Sequence, residues 1–143
     1  MVKKIKDLLS YEGSIKRLAA ISFKDNVVNY RIAKFKNEIA KALRNYREVE
    51  NNTSKELQKQ YFVLNEDGTI KMEEVKDTNG TVIQIKPMYL EGKTEAGIDK
   101  EYNEKIKELV EVEEEISEFN IELAQLDKEI SAEILESLVE FIK

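Results

Sequence analysis

The sequence predicts an α+β fold that is predominantly helical: a long N-terminal helical hairpin, a small β-ribbon insertion, an acidic second helix and a short C-terminal helix. Three observations predict it. Gly occurs 5 times and Pro once in 143 residues, too few for a turn-dense sandwich or barrel. The stretch from Asn26 to about Gln60 contains neither. Apolar residues recur at helical spacing on both sides of a central segment that carries two hairpin signals, Asp67-Gly68 and Asn79-Gly80.

The first element runs from Lys3 to about Ile21, where Ile5, Leu8, Leu9, Ile15, Leu18 and Ala19 stand three or four residues apart within each cluster. Gly13 lies inside it, and because a helical Gly costs about 1 kcal/mol against Ala, a kink or break is expected there. Ser22-Phe23-Lys24-Asp25 reads as a joint, with Asp25 the N-cap of the next helix.

From Asn26 to about Gln60, Val28, Ile32, Phe35, Ile39, Ala42, Tyr46 and Val49 alternate steps of four and three. That spacing draws a narrow apolar seam suited to coiled-coil-like packing. The short first helix cannot cover it all, so the seam calls for a partner helix, either residues 98–115 of the same chain or a second copy. A homo-oligomer, first of all a dimer, is the expectation. After Val49 the seam decays through Glu50-Asn51-Asn52-Thr53-Ser54, where the helix is expected to be free to break.

Asn65-Glu66-Asp67-Gly68 and Asp77-Thr78-Asn79-Gly80 supply residues that tolerate positive φ. Thr69 to Met72 and Thr81 to Ile85 would be short strands, the second ended by Pro87. Ile98, Tyr102, Ile106, Leu109 and Val112 predict an acidic helix from about Ile98 to Glu115. Residues 118–123 alternate apolar with polar as a half-buried strand does, while their Glu content also allows continued helix. Ser131 caps a last helix carrying Ile134, Leu135, Leu138, Val139 and Ile142 inward. The whole reads as one domain, 1–143: a basic helical half (1–60), a β-ribbon and connection (61–97), and an acidic helix, strand and C-terminal helix (98–143).

Charge is divided along the chain. Residues 1–60 carry 14 Lys/Arg and 7 Asp/Glu, residues 61–143 carry 9 and 22, so the halves attract, within one molecule or between copies. No apolar run approaches the roughly 18–20 residues of a membrane span, and the basic start is followed by too short an apolar stretch for a signal peptide. A cytoplasmic location follows as the expectation, with no membrane partner.

With no His and no Cys, the commonest general base, the usual zinc ligands and the usual nucleophilic triads are missing. Neither phosphate-cradling glycine pattern is present. Glu111, Glu113, Glu114 and Glu115 form a run of the kind that solvates a helix face. Asn65, Asp67, Gly68, Ile70 and Glu74 fit five places of a calcium loop, but Val63 stands where the first carboxylate belongs, which favours a plain turn. No enzyme, no metal and no cofactor is expected.

Binding is the remaining chemistry. Tyr30, Arg31, Lys34, Lys41, Arg44 and Arg47, with Tyr46 nearby, give the long helix a cationic outer surface. On a helical wheel these charges spread over the outer arc, whereas a DNA-reading helix concentrates them in a stripe. The acidic remainder repels phosphate, which argues against direct binding of nucleic acid. The acidic half could equally imitate nucleic acid in a partner's basic groove.

The order of features carries a resemblance. A short helix opens with Ile5-Lys6-Asp7-Leu8-Leu9; Asn26 to Lys36 starts a long helix; Glu66-Asp67-Gly68-Thr69-Ile70 forms a hairpin-like turn. An acidic helix then leads to Asn120-Ile121-Glu122-Leu123 and to Ile130-Ser131-Ala132-Glu133-Ile134-Leu135. This layout resembles a broad group of small accessory proteins encoded by bacteriophages and prophages. The resemblance implies a phage protein that works in the cytoplasm of the infected bacterium, binding and blocking or sequestering a host defence component. The alternatives it leaves are a minor virion or assembly protein and a sponge for a small nucleotide signal. It carries over no functional residue.

Overall fold

A computed structural model describes all residues, Met1–Lys143. The elements are β1 (Val2–Lys4), α1 (Ile5–Ala19), α2 (Asn26–Tyr61), β2 (Met72–Lys76), β3 (Val82–Pro87), α3 (Glu95–Leu109), β4 (Glu113–Glu115) and α4 (Ala132–Ser137). This is the predominantly helical α+β class read from the sequence. The chain divides into two compact units, one made of Met1–Arg47 with Glu108–Lys143 and one of Glu48–Lys107. No helix is long and apolar enough to cross a membrane.

In the first unit α1 is unbroken through Gly13, whose loss of helix propensity is tolerated because the packed face around it, Leu8, Ile15 and Leu18, is fully buried. No side chain caps its N-terminus. Two of its orphan donors are met by backbone: Ile5 N–H donates to the carbonyl of Val112 and Lys6 N–H to that of Val110, both at 2.9 Å. Asp25 does cap α2, its Oδ1 accepting from Val27 N–H at 2.9 Å.

The seam of α2 is buried at Val28, Ile32, Phe35, Ile39 and Tyr46, with Ala42 half-buried and Leu43 fully buried beside it. Val49 departs from the expectation: it is 47 % exposed, because the first unit's core ends before it. The seam also finds its cover inside the chain. Ile5, Leu8, Ile15 and Leu18 of α1 share one core with Phe119, Ile121, Leu138 and Phe141 from the C-terminal segment. From residues 98–115, Leu109 and Val110 pack against this core.

The acidic helix is shorter than its pattern suggests. α3 stops at Leu109, a turn follows, and Glu113–Glu115 is a strand paired antiparallel with β1. The register sets Lys3 opposite Glu114 and Lys4 opposite Glu113, so ladder bonds and opposite charges outweigh the helix propensity of Glu. Val112, expected inside the helix seam, is 46 % exposed.

The strand expected at 118–123 does not form: Ile121 alone makes a parallel bridge, to Ile142, and Leu123–Gln125 is a 3-10 turn. Ile121 N–H donates to Phe141 O at 2.8 Å and Lys143 N–H to Ile121 O at 3.0 Å. Ser131 Oγ caps α4 by accepting from Ile134 N–H at 3.4 Å. Ile134, Leu138 and Ile142 point inward, but Val139 is 69 % exposed, since the helix ends at Ser137 and loses its period.

The two charge halves meet within this unit. Lys3 pairs with Glu140, Lys4 and Lys6 with Glu111, and Arg17 with Glu133. Apart from Lys3, whose side chain is 19 % exposed, these groups are substantially open to solvent, so each such pair contributes little alone.

In the second unit α2 continues through residues 50–54 without a break. Leu57, Tyr61 and Phe62 form a small core with Leu64, Ile70, Tyr89, Ile98 and Tyr102. Both predicted turns are present, with Gly68 at φ 85° and Gly80 at φ 80°. The strand expected at Thr69–Met72 lies further on, at Met72–Lys76, because Ile70 is taken by a bridge to Leu64 that closes the first turn. β3 ends at Pro87 as expected.

Candidate interaction surface

The six polar residues singled out on α2, Tyr30, Arg31, Lys34, Lys41, Arg44 and Arg47, are all exposed, but the fold distributes them over two grooves of the first unit. Tyr30, Arg31 and Lys34 line one of about 460 Å³ together with Val27, Phe35 and Glu38. Its other wall is Ser117, Glu118, Phe119 and Asn120. Along α2 it passes into a second hollow of about 540 Å³ between Lys41, Ala42, Asn45 and Glu114, Glu115, Ile116. Glu38 and Ser117 line both hollows. The Glu38 carboxylate accepts from Ser117 Oγ at 2.7 Å and from Ser117 N–H at 3.1 Å, fixing the extended wall against the helix.

The two walls differ in sign. α2 contributes Arg31, Lys34 and Lys41, and the opposite wall contributes Glu114, Glu115 and Glu118. A groove of this kind suits a protein segment bearing both charges better than a polyphosphate, which the acidic wall repels. Tyr30, 68 % exposed, adds a large amphipathic contact at one end.

Arg44 and Arg47, with Lys41 bordering both sides, line a groove between α1 and α2 of about 590 Å³ that also takes in Glu12 and Lys16. Glu12 neutralises part of this charge by pairing with Arg47 and Lys16. No ring lines this groove: Tyr46, placed near these cations by the sequence, is 8 % exposed and belongs to the core. Within this groove, cations and an aromatic ring are therefore not brought together.

Ionisation is perturbed elsewhere. The Glu111 carboxyl is held down to about 2 by hydrogen bonds from Lys4 and Lys6. Burial pushes the Tyr11 hydroxyl up, and its hydrogen bond to Glu140 adds to the shift. Burial would raise Glu140, but Lys3 and Tyr11 more than offset it and its carboxyl titrates low. These groups hold structure together at the surface and do not face one another across a cleft.

The stretch resembling a calcium loop is a turn followed by a strand. Asp67 Oδ1 accepts from Thr69 N–H at 3.0 Å and Thr69 Oγ1 at 2.6 Å, which lowers its pKa, while Glu74 lies in β2. No three carboxylates gather in a metal-binding arrangement.

Two features escaped the sequence reading. The acidic wall at 114–118 lay hidden because Glu114 and Glu115 read as the end of a helix and Glu118 as the start of a half-buried strand. In the second unit Leu57, Phe62, Tyr89, Ile98 and Tyr102 line a hollow of about 390 Å³ rimmed by Glu95 and Asp99. Phe62 and Tyr89 stand 4.7 Å apart there, residues too far separated in sequence to show a period. No protein-family profile, curated protein or solved structure gives a significant match to this chain.

Proposed function

We propose that this chain is a phage-encoded binding protein that acts without turnover, blocking or sequestering a host defence component in the cytoplasm of the infected bacterium. The setting comes from the layout resembling small phage accessory proteins. The observation that carries the mode of action is the groove along α2, where Arg31 and Lys34 have no ion-pair partner and stand beside the exposed ring of Tyr30. Unpaired cations beside an exposed aromatic ring are the composition of binding hot spots. The lack of imidazole and thiol supports occupation of a surface over catalysis.

The test is affinity capture from host lysate with the wild-type chain and with an Arg31→Glu, Lys34→Glu double variant, alongside phage growth in defended cells. The wild type is expected to retain a partner and protect the phage, and the double variant to fold normally and do neither. Capture of nothing by the wild type, with no protection, refutes the reading. Recovery of the chain from purified particles by mass spectrometry would favour a virion component instead.

A further inference from the structure

The end of α2 and the first turns of α3 border the hollow of the second unit. Glu95, Ile98, Asp99 and Tyr102 recur three or four residues apart, so they share one face of α3. Leu57 lies on α2, Phe62 directly follows it, and Tyr89 is brought in by its antiparallel bridge to Phe62. Every lining residue belongs to Glu48–Lys107.

The lining is one-sided in charge. Phe62, Tyr89 and Tyr102 meet the buried side chain of Leu57, and two carboxylates stand at the rim with no Lys or Arg beside them. Glu95 and Asp99 are exposed and pair with no cation of the chain. A third carboxylate, Glu50, accepts from the Tyr102 hydroxyl at 3.1 Å and orients that ring. Burial raises the pKa of the Tyr89 hydroxyl, and Glu95 and Asp99 raise it further, so the field of both carboxylates reaches this ring.

A neighbouring ring of the same small core shows what these side chains accept. Tyr61 carries the ammonium of Lys93, 4.9 Å from its ring centre. No ammonium of the chain stands over Phe62, Tyr89 or Tyr102. An aromatic face attracts a cation through its quadrupole, more strongly where water is excluded. Carboxylates at the rim add to that attraction and repel anions. They do not gather as a metal site requires, and rings and an aliphatic wall ligate no bare ion. A cation with an apolar skin matches both parts of the lining.

We propose that this hollow binds an alkylammonium group, its charge held by the rings of Tyr89 and Tyr102 with Glu95 and Asp99, and its alkyl substituents packed on Leu57 and Phe62. At about 390 Å³ the space is within the range of small-molecule sites. A free quaternary amine and the methylated end of a lysine side chain share this chemistry. The site uses neither Arg31 nor Lys34, so it stands or falls separately from the partner bound along α2.

The test is a titration of the full chain with choline chloride, exchanged for sodium chloride at constant ionic strength and followed by aromatic NMR signals. Those of Phe62, Tyr89 and Tyr102 are expected to shift and saturate. The uncharged isostere, with a tert-butyl group in place of trimethylammonium, should bind at least about tenfold more weakly. Glu95→Gln with Asp99→Asn, both at exposed positions, should weaken choline by about tenfold and leave the circular dichroism unchanged. Tyr89→Leu should weaken it as well; should that change disturb the core, the charge variant still decides. A peptide bearing trimethyl-lysine identifies the source: tighter binding than choline assigns the site to a partner's side chain, weaker binding to a free amine. No saturable shift with choline or the peptide overturns the proposal. So does equal affinity for the uncharged isostere, or choline affinity unchanged in the double variant.

Discussion

Phe35 and Phe119 lie face to face, their ring centroids 4.2 Å apart and their planes 8° from parallel. Phe141 meets Phe35 edge-on at 5.0 Å. Residues widely separated in sequence thus close the α2 seam with one aromatic cluster, and the extended wall of the groove is anchored through it.

Phe119→Ala should therefore destabilise the first unit by about 3–5 kcal/mol, the usual range for a buried Phe. Urea unfolding followed by circular dichroism would measure this. Phe119→Leu should cost clearly less, since it keeps most of the buried volume.

Acid should weaken the tie between β1 and the turn after α3. The Glu111 carboxyl titrates near 2 in the fold, held there by Lys4 and Lys6, against an ordinary value of 4.5. A depressed folded pKa gives stability that is present above the unfolded value and is lost as pH falls toward 2. The gap in urea midpoint between wild type and Glu111→Gln should be largest above about pH 5 and should vanish near pH 2. Added salt should narrow it at neutral pH, because all three side chains are solvent-exposed.

The glycines predict opposite signs. Nothing lies within 4 Å of a Cβ built on Gly13, in mid-helix, so Gly13→Ala should stabilise by about 1 kcal/mol. Gly80 has open space too, but its φ of 80° penalises any side chain, and Gly80→Ala should cost the ribbon about 1–2 kcal/mol. Thermal melts of the first and hydrogen exchange across residues 72–87 of the second would show both.

Alkali should act through Tyr11, whose hydroxyl is raised above 10.0 by burial and by Glu140. A raised folded pKa gives stability that is complete below the unfolded value and lost as pH climbs through the folded one. Tyrosinate absorbance should appear at higher pH in the native chain than in urea. Tyr11→Phe should lessen the loss of stability above about pH 10.

Elements with one dominant period were legible from sequence. The four-and-three spacing of Val28, Ile32, Phe35, Ile39 and Tyr46 predicts both α2 and its buried face, and Asp25 and Ser131 cap where their positions indicate. The cover over that face was not legible. Ile116, Phe119, Ile121, Leu126 and Leu138 follow no single period, because the segment holding them mixes extended chain, a 3-10 turn and a short helix. β1 and β4 were hidden for a related reason: three residues each, rich in Lys and Glu, they are strands only because they face each other. The complementary run of Lys3-Lys4 and Glu113-Glu114 was the one signal for them. For the interaction surface, the cationic side of α2 was visible, but its division between two grooves depended on where the 114–120 segment lies.

The first unit is assembled from both ends of the chain, with Glu48–Lys107 between them. On the ribosome, α1 and the seam of α2 emerge long before Phe119, Leu138 and Phe141 exist to cover them. At about 5–20 residues per second the nascent chain spends several seconds with that apolar stripe bare. The second unit, being contiguous, has every residue of its own core in hand well before that stripe is covered.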